Sequence, residues 1–73
     1  MIYKRIRDLR EDKDLTQTQV GNAINVLQRT YSRYEKGDIV IPPEILIALA
    51  DFHETSVDYL LNRTDIKKPY PKK

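Results

Sequence analysis

Residues 16–37, TQTQVGNAINVLQRTYSRYEKG, restrict what this chain can fold into more than any other stretch. Thr16 followed three positions later by Gln19 is a capping-box pattern. A hydroxyl takes one orphan amide hydrogen, and the amide side chain returns a bond to the cap. Leu15 before the cap and Val20 after it stand where a hydrophobic staple forms. A short helix is therefore predicted from Gln17, with Val20, Ala23 and Ile24 on its buried face at i, i+3, i+4. Asn25 readily takes the left-handed conformation that ends a helix and turns the chain. Past that turn, Leu27, Tyr31 and Tyr34 repeat at four and three, so a second helix buries that row. Gly37 is placed to close it.

The opposite face of the second helix carries Gln28, Arg29, Ser32, Arg33 and Lys36. Gln28 matches the N6 and N7 atoms of adenine, and Arg29 or Arg33 the O6 and N7 atoms of guanine. Arg33 lies one turn after Arg29, so the two address successive bases along one groove. Ser32 and Lys36 are positioning contacts rather than readers. Two short helices joined by a tight turn, the second polar and cationic outside, describe a DNA-binding helix-turn-helix.

With these residues the chain resembles the Cro/CI-repressor type, or XRE family, of helix-turn-helix regulators. The matching residues are Leu15-Thr16-Gln17 opening the first helix, Gly21 where helices cross, apolar Val20, Ile24 and Val26, and the run Tyr31-Ser32-Arg33-Tyr34-Glu35-Lys36-Gly37. Ile45–Ala50 and Ser56–Leu61 look like the last two helices of the same domain, so the resemblance covers roughly Ile6 to Thr64. It implies an all-α, five-helix, lambda-repressor-like domain over residues 1–64, with the helix-turn-helix at about 16–37. It implies that Gln28, Arg29 and Arg33 read bases, and that Gln17 meets a phosphate, a contact which the free amides and dipole of the helix it opens favour. Thr18 and Thr30 join Ser32 and Lys36 as further positioning contacts. The resemblance also implies an ion pair between Arg10 and Glu35, a dimer contact through Ile39, Val40 and Ile41, and repression of transcription. One departure stands out: Leu27 occupies a cap position where Ser or Thr is common, and lacking that cap costs about 0.5–2 kcal/mol.

Seventy-three residues make one small domain with a limited core. Cysteine is absent, so neither a disulfide framework nor a thiolate metal site can form, which suits a reducing cytoplasm. No apolar run approaches the roughly 18–20 residues of a membrane span, and the first dozen residues are too charged for a signal peptide. Net charge is only +2, but its distribution is uneven. Residues 1–36 carry eight Lys/Arg against five Asp/Glu, residues 37–61 five acids and no Lys or Arg, and residues 62–73 five bases against one acid. A basic front and an acidic back suit a protein that turns one face to phosphate.

Elsewhere, Ile2, Ile6 and Leu9 predict a helix from about residue 2 to Lys13, with Asp8 and Glu11 placed for i, i+4 pairs. The segment DIVIPP at 38–43 reads as an extended linker shaped by its prolines rather than a strand, because a lone strand has nothing to pair with. Some of its apolar side chains must pack under the domain, and any left exposed would make a contact patch. Pro43 suits the first turn of the next helix, whose Ile45, Leu46, Leu49, Ala50 and Phe52 supply the main core, so that the helices pack around it. A last helix, capped by Thr55 or Ser56, buries Val57, Leu60 and Leu61. The Lys- and Pro-rich tail, residues 65–73, is expected to be disordered.

Catalysis finds no support in the residues. His53 is the sole histidine, at the end of the fourth helix. Asp12 and Asp14 beside Glu11 form a charged helix end without the spaced partners of a metal site, and no nucleotide fingerprint or nucleophile triad is present. No cofactor is expected. The sequence therefore describes a sequence-specific binder of double-stranded DNA, acting as a homodimer on a two-fold related site. No sensor or peptidase domain is expected in the remaining length. Two alternatives stay open: an antitoxin using the same domain with a toxin partner, and an interaction module that kept the fold and lost DNA binding.

Overall fold

The computed structural model describes residues 2–71. Five helices follow one another: α1 (Lys4–Asp12), α2 (Gln17–Ala23), α3 (Gln28–Lys36), α4 (Pro43–Phe52) and α5 (Val57–Leu60). No strand occurs among the described residues, and the 38–43 segment is an extended connection. The all-α, five-helix expectation holds.

One device recurs at every helix end. Asp14, Asn25, Gly37, Glu54 and Asn62 all take φ between 54° and 75°. In each case the next residue's amide reaches back five positions: Leu15 to Arg10, Val26 to Gly21, Asp38 to Arg33, Thr55 to Ala50 and Arg63 to Asp58, over 2.8–3.1 Å. These are Schellman closures, which satisfy carbonyls that the helix itself leaves unpaired. Only one of the five left-handed residues is glycine. The four others hold a conformation that side chains disfavour, kept there by the bonds on either side.

The helix starts differ. Thr16 and Gln19 form the reciprocal capping box of α2, at 3.1 Å and 2.8 Å, with Leu15 and Val20 both turned into the core. Ser56, not Thr55, caps α5 through the Tyr59 amide at 3.0 Å. Pro43 opens α4. Leu27 caps α3 with backbone alone.

Ile6, Leu9, Val20, Ile24, Tyr31, Tyr34, Ile41, Leu49, Ala50 and Leu60 form the core. Three expected members do not behave as the periodicity predicts. Ile2 is exposed because α1 begins only at Lys4, with Tyr3 as its cap. Ala23 is exposed because α2 turns Val20, Gly21 and Ile24 inward instead. The reason is Gly21, where a Cβ would stand 2.7 Å from the Val26 carbonyl oxygen, so only glycine lets the α2–α3 turn close there. Leu27 is exposed because it precedes α3 rather than continuing its buried row. Ile47, on the otherwise apolar α4, is also exposed.

The closest pairings are α2 with α3, α4 with α5, and α1 with both α3 and α5. Helix α1, not α4, ties the halves together, because Arg5 and Arg10, two of its three arginines, reach opposite ways. Arg10 meets α3. Arg5 reaches the other end of the chain, where its guanidinium donates to the carbonyls of Tyr59 and Thr64 and to the Asp65 carboxylate. It also lies over the Tyr59 ring, 4.1 Å from the centroid.

Residues 65–71 carry no regular element. Besides the Arg5–Asp65 pair, the Thr55 hydroxyl donates to the Lys67 carbonyl, and the Tyr70 hydroxyl to Asp58 at 2.8 Å. Lys72 and Lys73, the end of the basic tail, lie outside the described residues. His53 is buried at the end of α4, with Phe52 edge-on to its ring and neither ring nitrogen hydrogen-bonded. Burial, with Lys13 and Lys67 nearby, pushes its pKa down to about 4.

Candidate nucleic-acid interface

Helix α3 is divided lengthwise by its sequence. Tyr31, Tyr34 and Glu35 face inward and are buried, while Gln28, Arg29, Arg33 and Lys36 are exposed. Thr30 and Ser32 lie between, half-buried. The guanidinium groups of Arg29 and Arg33 and the ammonium of Lys36 have no hydrogen-bond or ion-pair partner among the described residues. A row of unengaged cations on one helix face is available to phosphates and to the acceptor-rich edge of guanine.

Behind this face is the ion pair. Arg10 Nε donates to Glu35 Oε2 at 2.7 Å and Arg10 Nη2 to Glu35 Oε1 at 3.0 Å, a two-pronged contact. Arg10 Nη1 also donates to the Leu15 carbonyl at 2.9 Å, which joins the α1–α2 turn to the same cluster. Burial alone would raise the Glu35 pKa, but hydrogen bonds led by Arg10 outweigh it and hold the carboxyl below its ordinary range. The Tyr31 hydroxyl is buried beside this carboxylate without a hydrogen bond of good geometry. Burial first, and then the Glu35 charge, push the phenol's pKa far up.

Gln17, at the start of α2, continues the cluster outward. Its Nε2 donates to Glu35 Oε1 at 3.2 Å, and its Oε1 accepts from Gln28 Nε2 at 2.8 Å. The structure thus brings Arg10, Glu35, Gln17 and Gln28 into one chain of hydrogen bonds running from α1 to the exposed start of α3. Sequence reading singled out all four residues but missed the links through Gln17. The available signal was two amides eleven positions apart, at the starts of the two helices of the motif. Thr18 is exposed on α2, beside Gln17 in sequence. Of the three apolar linker residues Ile39, Val40 and Ile41, Ile41 is buried and Ile39 half-buried, leaving Val40 as the exposed one at 89%.

A helix-turn-helix family model matches residues 6–60, most of the chain and all of the geometry just described. The chain belongs to the helix-turn-helix family. It is 35% identical over 69 residues to an HTH-type transcriptional regulator of Bacillus subtilis, YobD, a match covering 94% of this chain and 62% of that one. It is 37% identical over 65 residues to the cryptic phage CTXphi transcriptional repressor RstR of Vibrio cholerae, covering 89% and 59%. The helix-turn-helix chain thus spans about three fifths of the length of these relatives. Among solved structures, the P22 c2 repressor protein in complex with a synthetic operator matches with a TM-score of 0.79 and 28% identity, over 88% of this chain and 98% of that one. No helix among the described residues is long and apolar enough to cross a membrane.

Proposed function

We propose that this chain is a cytoplasmic transcriptional regulator, a repressor, that binds double-stranded DNA sequence-specifically through α3 in the major groove. The observation that carries this reading is the face of α3. Its cations Arg29, Arg33 and Lys36 are unengaged, while its inner side is fixed by buried Tyr31, Tyr34 and Glu35. Gln28, Arg29 and Arg33 read bases, and Gln17, Thr18, Thr30, Ser32 and Lys36 position the protein on the backbone. The likeness to an operator-bound repressor supports this reading. One short helix makes little contact, so two copies act on half-sites about one DNA turn, roughly 34–36 Å, apart. Exposed Val40, next to half-buried Ile39, supports self-association at the linker.

Fluorescence anisotropy on the duplex upstream of the chain's own gene, against a scrambled duplex at several salt concentrations, tests this reading. A preference of about a thousandfold that survives moderate salt is expected. The double variant Arg29→Ala/Arg33→Ala is expected to bind both duplexes alike, with a helical circular dichroism spectrum intact. Unchanged selectivity in that variant would overturn the assignment.

A further inference from the structure

The cationic surface does not stop at α3. We propose that Lys4 and Arg7 of α1 form a second phosphate-binding edge, which grips the DNA backbone outside the stretch covered by the helix-turn-helix. This rests on the DNA-binding reading above.

A cleft of about 570 Å³ lies between α1 and α3. Gln17 and Lys36 line one side of it, and Lys4 and Arg7 line the other. Lys36 is the last of the exposed row Arg29, Arg33, Lys36 on α3, so the cleft opens where that row ends. Lys4 and Arg7 are three positions apart, on one face of their helix, and both are exposed. A DNA strand held at Gln17 and Lys36 therefore continues past the mouth of the cleft, with Lys4 and Arg7 on its outer side.

The charges in the cleft decide what it holds. Arg10 and Glu35 neutralise each other in their two-pronged contact. Arg7 is paired with Glu11 at 3.2 Å, but the two side chains are 62% and 51% exposed. An exposed pair of this kind is weak, so Arg7 exchanges Glu11 for a phosphate at small cost. Lys4 and Lys36 have no hydrogen bond or ion pair among the described residues. Half-buried Asp8 is the other carboxylate in the lining. Four cations against three carboxylates leave the cleft positive by one charge. Duplex DNA presents one negative charge for about every 1.7 Å of its axis, and each cation set against a phosphate releases counterions. The edge thus adds affinity and salt dependence but reads no base. Glu11 competes with the phosphate for Arg7 and tempers the grip.

The test uses the full chain and a duplex that the wild type selects from a randomised pool. Single phosphates along it are replaced by uncharged methylphosphonates, and binding is followed by anisotropy between about 50 and 200 mM salt. The wild type is expected to need two groups of phosphates, an inner group beside α3 and an outer group beyond the phosphate that Gln17→Ala identifies. Lys4→Ala/Arg7→Ala is expected to become insensitive to the outer group, with the inner group and every base preference kept and the salt slope lower by about 1 to 2. Glu11→Gln is expected to bind about two- to fivefold more tightly, the worth of an exposed ion pair, and to lose that gain when Arg7→Ala is added. All three positions are exposed and outside the core, and circular dichroism checks that each variant folds. If the double variant does not fold, Lys4→Ala, at a side chain without a partner, decides alone. The proposal is overturned if the double variant keeps the wild-type salt slope, or stays as sensitive to the outer phosphates as the wild type. It is also overturned if no phosphate beyond the inner group affects the wild type. A wild type that selects nothing from the pool overturns the DNA-binding reading along with it.

Discussion

Arg10 donates three hydrogen bonds, two to one carboxylate and one to a turn carbonyl. Taking two charges out of water is costly, so the pair adds little over a well-packed apolar alternative, whereas breaking it strands a buried charge. Arg10→Met is therefore expected to destabilise the fold by about 3–5 kcal/mol, read as a lower urea midpoint. His53 makes a second residue-scale prediction, from a group that is buried and neutral. Its folded pKa of about 4 lies below the ordinary value of 6.5. As pH falls below about 6.5, the unfolded chain takes up a proton that the folded chain refuses, so stability drops until pH nears 4. Between pH 7 and pH 5 this group accounts for about 2 kcal/mol of lost stability. Glu35 acts in the same direction at lower pH, since a depressed carboxyl loses its contribution as pH falls through its folded pKa. Urea unfolding of His53→Leu at the two pH values is expected to show most of the pH 7-to-5 loss removed.

At the scale of the element, helix starts were easier to read than helix faces. The capping box at Thr16 and the turn residue Asn25 are local chemistry, fixed by neighbours within a few positions, and both were legible. The inward face of α2 was legible at Val20 and Ile24 but not at Ala23, because Gly21 rather than Ala23 lies inward, against the Val26 carbonyl across the turn, and no periodicity contains that contact. Ile2 and Leu27 fit their apolar rows in sequence but stand before the first helical residue of α1 and α3. Leu27 offers a direct check. It has extended backbone angles suited to a cap, a 63% exposed side chain and no side-chain capping bond. Leu27→Ser is expected to stabilise the domain by about 1 kcal/mol, a rise of several degrees in melting temperature. It removes little buried surface and supplies the missing acceptor. The polar, cationic outer face of α3 was legible as a pattern of side chains; the hydrogen bond from Gln28 to Gln17 was not, because it joins α3 to α2.

Across the whole molecule, Arg5 and Arg10 of α1 do different work at different distances. Arg10 joins α1 to α3 across 25 positions. Arg5 joins residues 54, 59 and 60 positions away, close to the full length of the described chain. No local pattern announces such a contact, which is why it escaped the sequence. Its carboxylate partner Asp65 is 97% exposed, so that bond adds little, and the backbone carbonyls and the Tyr59 ring carry the attachment. The consequence is one of timing. Closing a loop of nearly the whole chain is a late event in folding, after the local helix pairs have formed. A contact absent from the transition state slows unfolding without speeding folding. In stopped-flow urea jumps, Arg5→Ala is expected to unfold faster by roughly tenfold for each 1.4 kcal/mol of stability it loses, with its refolding rate within about twofold of the wild type. Arg5 is thus a latch: it sets how long the folded molecule lasts once formed, and has little say in how quickly it forms.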